Sequence, residues 1–335
     1  MRVVCLVFLA AVAAVSAPAA HAQNWSLDVA AIPGSVQGLF RDADQIIVST
    51  RTGGYFAVRT GTTGNVAVER LGSYRRPAEP RRADMLPDGG VAQSTKAIRE
   101  AYLISPTSRY RHGVLGDAIE AGGLRVLTAD GKRLDFALDR AEVFEDLTPR
   151  LVDVDADGQP EILVVRSGVD AGAAAALFGL RDGALELIAD SEPIGRPNRW
   201  LNPVGVGDFD ADGRREVAVV RTPHIGGVLI LYEIADGKLV QEHEARGFSN
   251  HFIGSRDLDL SVVADLNADG IADIALPSAD RDTVRLVTFA GGKMAEIATV
   301  ALPARVQTSL LYLAGGRGAI VFGLADGSLA ILRRN

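Results

Sequence analysis

The sequence predicts an all-β protein, a β-propeller of four-stranded blades, on three observations. Its apolar runs are short, as in "QIIVST", "EILVV", "EVAVV", "VLILYEI" and "AIVFG", and no long stretch carries a helical apolar period. Glycine-centred turns separate the runs, at Gly131, Gly183, Gly237 and Gly292, with a fifth at Gly64. An acidic motif starts at Asp153, Asp208 and Asp265, with spacings of 55 and 57 residues. That period suits one four-stranded unit of a radial repeat, ~40–50 residues.

The elements follow in chain order. The opening "MRVVCLVFLAAVAAVSAPAAHAQNW" sets Arg2 before an apolar run ending at Ala20-His21-Ala22. This predicts a signal peptide over residues 1–22 and one propeller domain over 23–335. A membrane anchor is the weaker alternative, because the run is short and no later segment has the length to span a bilayer. Removing Arg2 takes the formal net charge from −7 to −8, and removing Cys5 leaves no cysteine. An acidic, cysteine-free chain bound for the periplasm or for secretion has no basic stripe for nucleic acid and uses no disulfide.

One unit can be read in full. "PVGVGDF" is strand A, an acidic loop follows, "EVAVVRT" is strand B, "VLILYEI" is strand C, and Gly237 turns the chain into strand D, "KLVQEHE". Degenerate copies align to it. "GVAQSTKAIREAYLI" has Gln93 where the first aspartate would stand, "LLYLAGGRGAIVFG" has Leu311, and "LFRDADQIIVST" is a further copy near residue 40. Six blades result, with seven the alternative because residues 73–122 are irregular. The last copy, "AIVFGLADGSLAILRRN", ends after strand C, and "NWSLDVAAI" is the expected outer strand that closes this blade.

The acidic loops carry the chemistry. Positions 1, 3, 5 and 9 are Asp153, Asp155, Asp157 and Glu161 in the first, then Asp208, Asp210, Asp212 and Glu216, then Asp265, Asn267, Asp269 and Asp273. Gly158, Gly213 and Gly270 stand at position 6, and the backbone carbonyl of position 7 (Gln159, Arg214, Ile271) can join the ligands. Carboxylates this close repel unless a cation lies between them, and an all-oxygen set suits Ca2+, about three ions in all. These are not EF-hands, whose position 12 is a bidentate Glu; here it is Val164, Val219 or Leu276. Asp, Asn and Gly also make plain turns, but a turn does not require five matched positions in three copies.

The pattern D-x-[DN]-x-D-G-x-x-[DE] before a strand resembles the FG-GAP/VCBS repeat family, whose propellers include the integrin α-subunit head. The resemblance covers about residues 149–290 and implies that each loop joins strands A and B and holds calcium. "RYRHGVLGDAIEAG", "VFEDLTPRL", "GRPNRWLNPVG" and "FSNHFIGSRDLDL" are similar to bacterial VCBS-repeat proteins. That family spans adhesion, carbohydrate binding, assembly and some enzymes, so its fold leaves the function open.

In an antiparallel blade the A–B and C–D turns share one face, here with Lys132, Lys238 and Lys293, and the B–C and D–A loops share the other. The second face gathers Arg109, Arg111, His112, Asn198, Arg199, Trp200, Asn202, His224, Asn250, His251, Arg256 and Arg281 as candidate ligand-binding residues. Arg and Asn there can instead tie blades together, and Trp200 can be inter-blade packing. The three histidines match no local zinc spacing. Two functions follow: a binding module for a glycan, an anionic ligand or a protein partner, or a hydrolase or lyase with its site on this face. No nucleophile elbow or phosphate loop is present and no catalytic residue is assigned, which favours the binding module, with a monomer expected.

Overall fold

The computed structural model describes residues 25–61 and 65–335, and every regular element there is a β-strand. The leader and Gly64 lie outside the described residues. Among the described residues no helix is long and apolar enough to cross a membrane.

Strand β1 is Trp25–Ala30. A first antiparallel meander follows: β2 (Val36–Asp42), β3 (Gln45–Thr50), β4 (Tyr55–Thr60) and β5 (Val66–Leu71). The second is β6 (Ala92–Gln93), β7 (Ile98–Thr107), β8 (Glu120–Thr128) and β9 (Arg133–Ala137). After β10 (Glu142–Phe144) comes the third: β11 (Arg150–Val152), β12 (Glu161–Gly168), β13 (Gly172–Arg181) and β14 (Ala184–Ser191). The fourth is β15 (Leu201–Gly207), β16 (Glu216–Arg221), β17 (Val228–Ala235) and β18 (Lys238–Arg246). The fifth is β19 (Val262–Ala264), β20 (Asp273–Pro277), β21 (Thr283–Thr288) and β22 (Ala295–Ala301). The last is β23 (Leu311–Leu313), β24 (Ala319–Gly323) and β25 (Leu329–Arg334), with β1 paired antiparallel to β25 from Trp25↔Arg334 to Ala30↔Leu329.

In every meander but the second, the second strand is covered on both faces along an unbroken apolar run. Ile46–Val48, Ile162–Val165, Val217–Val220, Ile274–Leu276 and Ile320–Phe322 are all buried. The outer strands β5, β9, β18 and β22 are less buried, and each breaks its apolar pattern with charged residues. Burial of the central strands against neighbouring sheets supplies the main driving force.

The meanders are not six separate sheets. Three of them form one 13-stranded sheet. Strand β10, between the second and third meanders, pairs with β12 and touches β8 through Phe144↔Ala121. Strands β14 and β18 meet in parallel at Asp190↔Lys238 and Ser191↔Leu239. The joining segments are short and local apolar periodicity is silent about them.

Candidate metal centre and the opposite loop face

The three acidic loops join β11 to β12, β15 to β16, and β19 to β20, and they are built alike. Position 2 (Val154, Phe209, Leu266) is buried and anchors each loop. The alanine at position 4 and the glycine at position 6 have positive φ in all three, 62° and 81° in the first loop. A non-glycine residue in that region is unfavourable and persists only where surrounding bonds fix it. Here the side chains of the loop do so. Asp155 Oδ1 accepts from the Asp157 amide at 3.2 Å, Asp210 Oδ1 from Asp212 at 3.1 Å, and Asn267 Oδ1 from Asp269 at 2.8 Å. Position 5 accepts from the amide of position 7 in each loop: Gln159 to Asp157 at 2.7 Å, Arg214 to Asp212 at 2.8 Å, and Ile271 to Asp269 at 2.8 Å.

Position 9 turns back under the loop. Its carboxylate accepts from the amide of position 2: Val154 to Glu161 at 3.0 Å, Phe209 to Glu216 at 2.8 Å, and Leu266 to Asp273 at 2.8 Å. Oxygens of Asp153, Asp155 and Glu161 lie within 4.8 Å of one another, as do those of Asp208, Asp210, Asp212 and Glu216, and those of Asp265, Asp269 and Asp273. Asp157 is outside the first group.

Each loop also holds one buried carboxylate oxygen with no hydrogen-bond partner: Asp153 Oδ1, Glu216 Oε1 and Asp273 Oδ1. Such an oxygen is costly to bury. Burial and the neighbouring aspartates push Glu216 up to about 7, burial pushes Asp273 up to about 6, and Glu161 is raised for the same reason as Glu216. A hard cation would satisfy these orphaned oxygens, so the donor sets fit calcium. The first loop differs from the other two. Asp208 and Asp265 accept from the amides of positions 4 and 6, whereas Asp153 faces the guanidinium of Arg215 from the next loop at 3.1 Å. The acidic loops lie beside their neighbours' turns: the Gly291 amide, in the β21–β22 hairpin, donates to the Asp210 carbonyl at 3.4 Å.

The opposite loops also come together. The Gly254 amide donates to the Val114 carbonyl at 2.9 Å, and Arg256 bridges Asp88 at 3.0 Å and Asp117 at 3.1 Å. Four of the candidate ligand residues are inside the wall and offer no ligand surface. Asn202 and Asn250 are fully buried in a reciprocal clasp. Asn202 Nδ2 donates to the Asn250 carbonyl at 3.1 Å and to that of Leu258 at 2.8 Å, and Asn250 Nδ2 donates to the carbonyls of Asn202 and Pro203. Trp200 is buried, donates Nε1–H to the Glu145 carbonyl at 2.9 Å and stacks on His224. His251 is buried beside it, and its Nε2 lies 3.0 Å from the Ser255 carbonyl. A carbonyl only accepts, so Nε2 carries the proton and His251 Nδ1 accepts from His224 Nε2 at 2.8 Å. Burial first lowers both, His224 to about 3 and His251 to about 4, so the pair is neutral.

Of the rest, Arg109 donates to the Glu142 carbonyl at 2.8 Å and Arg199 to that of Asn198 at 2.9 Å. Asn198 and Arg111 are exposed. Arg281 lies over the Phe252 ring at 4.9 Å. His112 Nδ1 lies 2.5 Å from Glu145 Oε1, and the buried Glu145 also accepts from Ser167 Oγ at 2.5 Å. Sequence reasoning missed Glu145 and Arg215, and offered Glu120 only as one of a possible acid pair with Asp117. Glu120 is buried, and burial first, with the nearby charges of Glu145 and Asp117, pushes it up to about 9. An acid inside an apolar-flanked stretch such as "VFEDL" is the one local signal available.

Acidic loops repeated between the first two strands of successive meanders define an all-β repeat protein. Residues 153–219 match the family model of the FG-GAP-like repeat, so that segment, with the first two acidic loops, carries FG-GAP-like repeat sequence. No curated protein matches the chain.

Proposed function

We propose that the chain is a secreted or periplasmic six-bladed β-propeller, stabilised by about three calcium ions, that serves as a binding or interaction module. The orphaned oxygens of Asp153, Glu216 and Asp273, one per loop, carry the calcium reading. The ring reading draws on contacts that run from the second meander to the last, β6 with β11, β12 with β15, β15 with β19 and β1 with β22, and on β2 against β24, which joins the last to the first; the seam between the first and second meanders is the part this reading adds. Calcium supplies positive charge to each carboxylate group. Asp153, Asp155 and Glu161 would hold one ion, Asp208, Asp210, Asp212 and Glu216 a second, and Asp265, Asn267, Asp269 and Asp273 a third, with the carbonyls of Gln159, Arg214 and Ile271 as further donors. Calorimetric titration and melting with calcium or chelator test this. Uptake near three ions with a raised Tm supports it, and no uptake with an unmoved Tm refutes it.

The ligand surface of this module is the loop face. A cavity of about 470 Å³ opens there, lined by Leu39, Leu147, Arg150, Arg256, Asp259 and Ser309. Arg150 and Arg256 line it and, with Arg109, Arg111, Asn198 and Arg199 of the same loop face, would offer donors suited to an acidic sugar, another anionic ligand or an acidic protein loop. Binding to an anionic glycan array that falls in Arg256→Ala and Arg199→Ala, with calcium uptake intact, tests this surface. The enzymatic alternative, a hydrolase or lyase, draws on one observation. Glu145 holds His112 by Nδ1, which leaves Nε2 as a base for an entering substrate. Turnover of glycan substrates lost in His112→Gln would favour it over the binding module.

A further inference from the structure

The fourth meander has a feature that its neighbours lack. In the third, fourth and fifth meanders the pairing of the last two strands slips by one residue at the same place. Leu177 and Phe178 face Ala189 and Leu187, leaving Ile188 unpaired. Leu286 and Val287 face Ala298 and Glu296, leaving Ile297 unpaired. Leu231 and Tyr232 face His243 and Gln241, leaving Glu242 unpaired. A bulge of this kind re-aims side chains. Two of the three bulges carry Ile-Ala, which packs. The third carries Glu242-His243.

Both side chains turn to the second acidic loop. His243 Nε2 lies 3.3 Å from Asp210 Oδ2, and the Phe289 ring, 5.6 Å away, holds the imidazole in place. One ligand atom each from Asp210, Glu242 and His243 lies within 4.8 Å of the others. Asp210 is also grouped with Asp208, Asp212 and Glu216. Within that group Glu216 is fully buried and its Oε1 has no partner, so the shared loop already holds an unsatisfied ligand atom.

We infer that Asp210, Glu242 and His243 form a second metal site beside the second acidic loop, specific for a borderline divalent transition cation of which zinc is the probe. Calcium takes oxygen donors and gains little from an imidazole, whereas one imidazole with two carboxylates is a zinc-type set. Asp210 has two oxygens and can face both ions. This site goes beyond the calcium reading and does not depend on it.

The test is zinc titration of the purified protein by calorimetry, in saturating calcium and without it, with X-ray absorption of the zinc-loaded protein. One zinc per chain is expected in both conditions, with a nitrogen donor in its shell. Glu242→Ile with His243→Ala installs the pair found at the neighbouring bulges, so this variant is expected to fold. It should bind zinc at least ~10-fold more weakly and keep its calcium uptake. His243→Gln alone should weaken zinc in the same direction. The inference is overturned if the wild type takes up no zinc, if calcium displaces it fully, or if the double variant binds zinc as the wild type does. Loss of calcium uptake in wild type with zinc binding retained would remove the calcium reading and leave this one standing.

Discussion

Arg215, at position 8 of the second acidic loop, places Nη1 3.1 Å from Asp153 Oδ2, at position 1 of the first. The same guanidinium donates to the Asp153 carbonyl. A positive charge from one repeat therefore sits at the first ligand position of the repeat before it. It offsets part of the repulsion among Asp153, Asp155 and Glu161, and it opposes entry of a dication there.

Arg215→Gln separates these two effects. Without added metal the variant is expected to melt below the wild type by a few degrees, a small change because the pair is part-exposed and screened. Calcium affinity at the first loop should rise several-fold, on the order of 1 kcal/mol. Calorimetry and melting curves with and without calcium check both directions. Unchanged affinity would mean that the guanidinium does not sense the cation.

Each of the three loops should lose its ion independently. Asp155→Ala, Asp208→Ala and Asp265→Ala are each expected to reduce calcium uptake by one ion, with affinities in the ~0.1–1 mM range of extracellular modules. Uptake that collapses in all three variants would instead show the sites to be one cooperative group.

Removal of residues before Gly34 strips β1 from β25. The edge of β25, including the buried Leu329 to Leu332, would open to solvent. Such a shortened chain is expected to aggregate or to melt markedly lower. Size-exclusion chromatography decides, and a soluble, equally stable monomer would contradict the clasp.

Asn202 and Arg199 lie three residues apart and should behave differently. Asn202→Ala leaves the carbonyls of Asn250 and Leu258 buried without their donor, a loss of about 2–6 kcal/mol at ~1–3 kcal/mol per group. Arg199→Ala on the half-exposed face should change stability by less than ~0.5 kcal/mol. Urea unfolding of the two variants distinguishes strut from surface.

Glu120 sets a pH dependence. Its folded value of about 9 lies above the value near 4.5 expected of the unfolded chain, burial being the first cause. The folded state therefore holds the extra proton between those values, and stability falls as pH rises through that window. Glu120→Gln removes the effect. The variant should match the wild type near pH 4.5 and exceed it at pH 8 by an amount on the order of a few kcal/mol. Equal melting temperatures at pH 8 would contradict the burial argument.

The central strands were legible because both their faces are covered, so the run "EILVV" had to be continuously apolar. The acidic loops were legible because their ligands lie within nine residues of one another. Long-range features were not. Arg215 and Asp153 are 62 residues apart, and neither residue type announces the other. Asn202 and Asn250 resemble surface residues by type, and it is their side-chain amide bonds to each other's carbonyls and to those of Leu258 and Pro203 that allow them to be buried. The Glu242 bulge is a property of register between two strands, and a single strand's pattern does not encode it. Strand β10 is too short for any period to show.

The pairing of β1 with β25 also sets an order of events. Trp25 and Arg334 are separated by about 300 residues of intervening chain, and forming this contact carries nearly the largest loop-closure cost the polypeptide can present. Of the described strands β1 is synthesised first and its partner last. Until then β1 has no sheet of its own, and its backbone donors and acceptors remain open to any exposed edge. The final sheet can be completed only once β1 and β25 have met, so the step that completes it is also the one most exposed to competition from another chain.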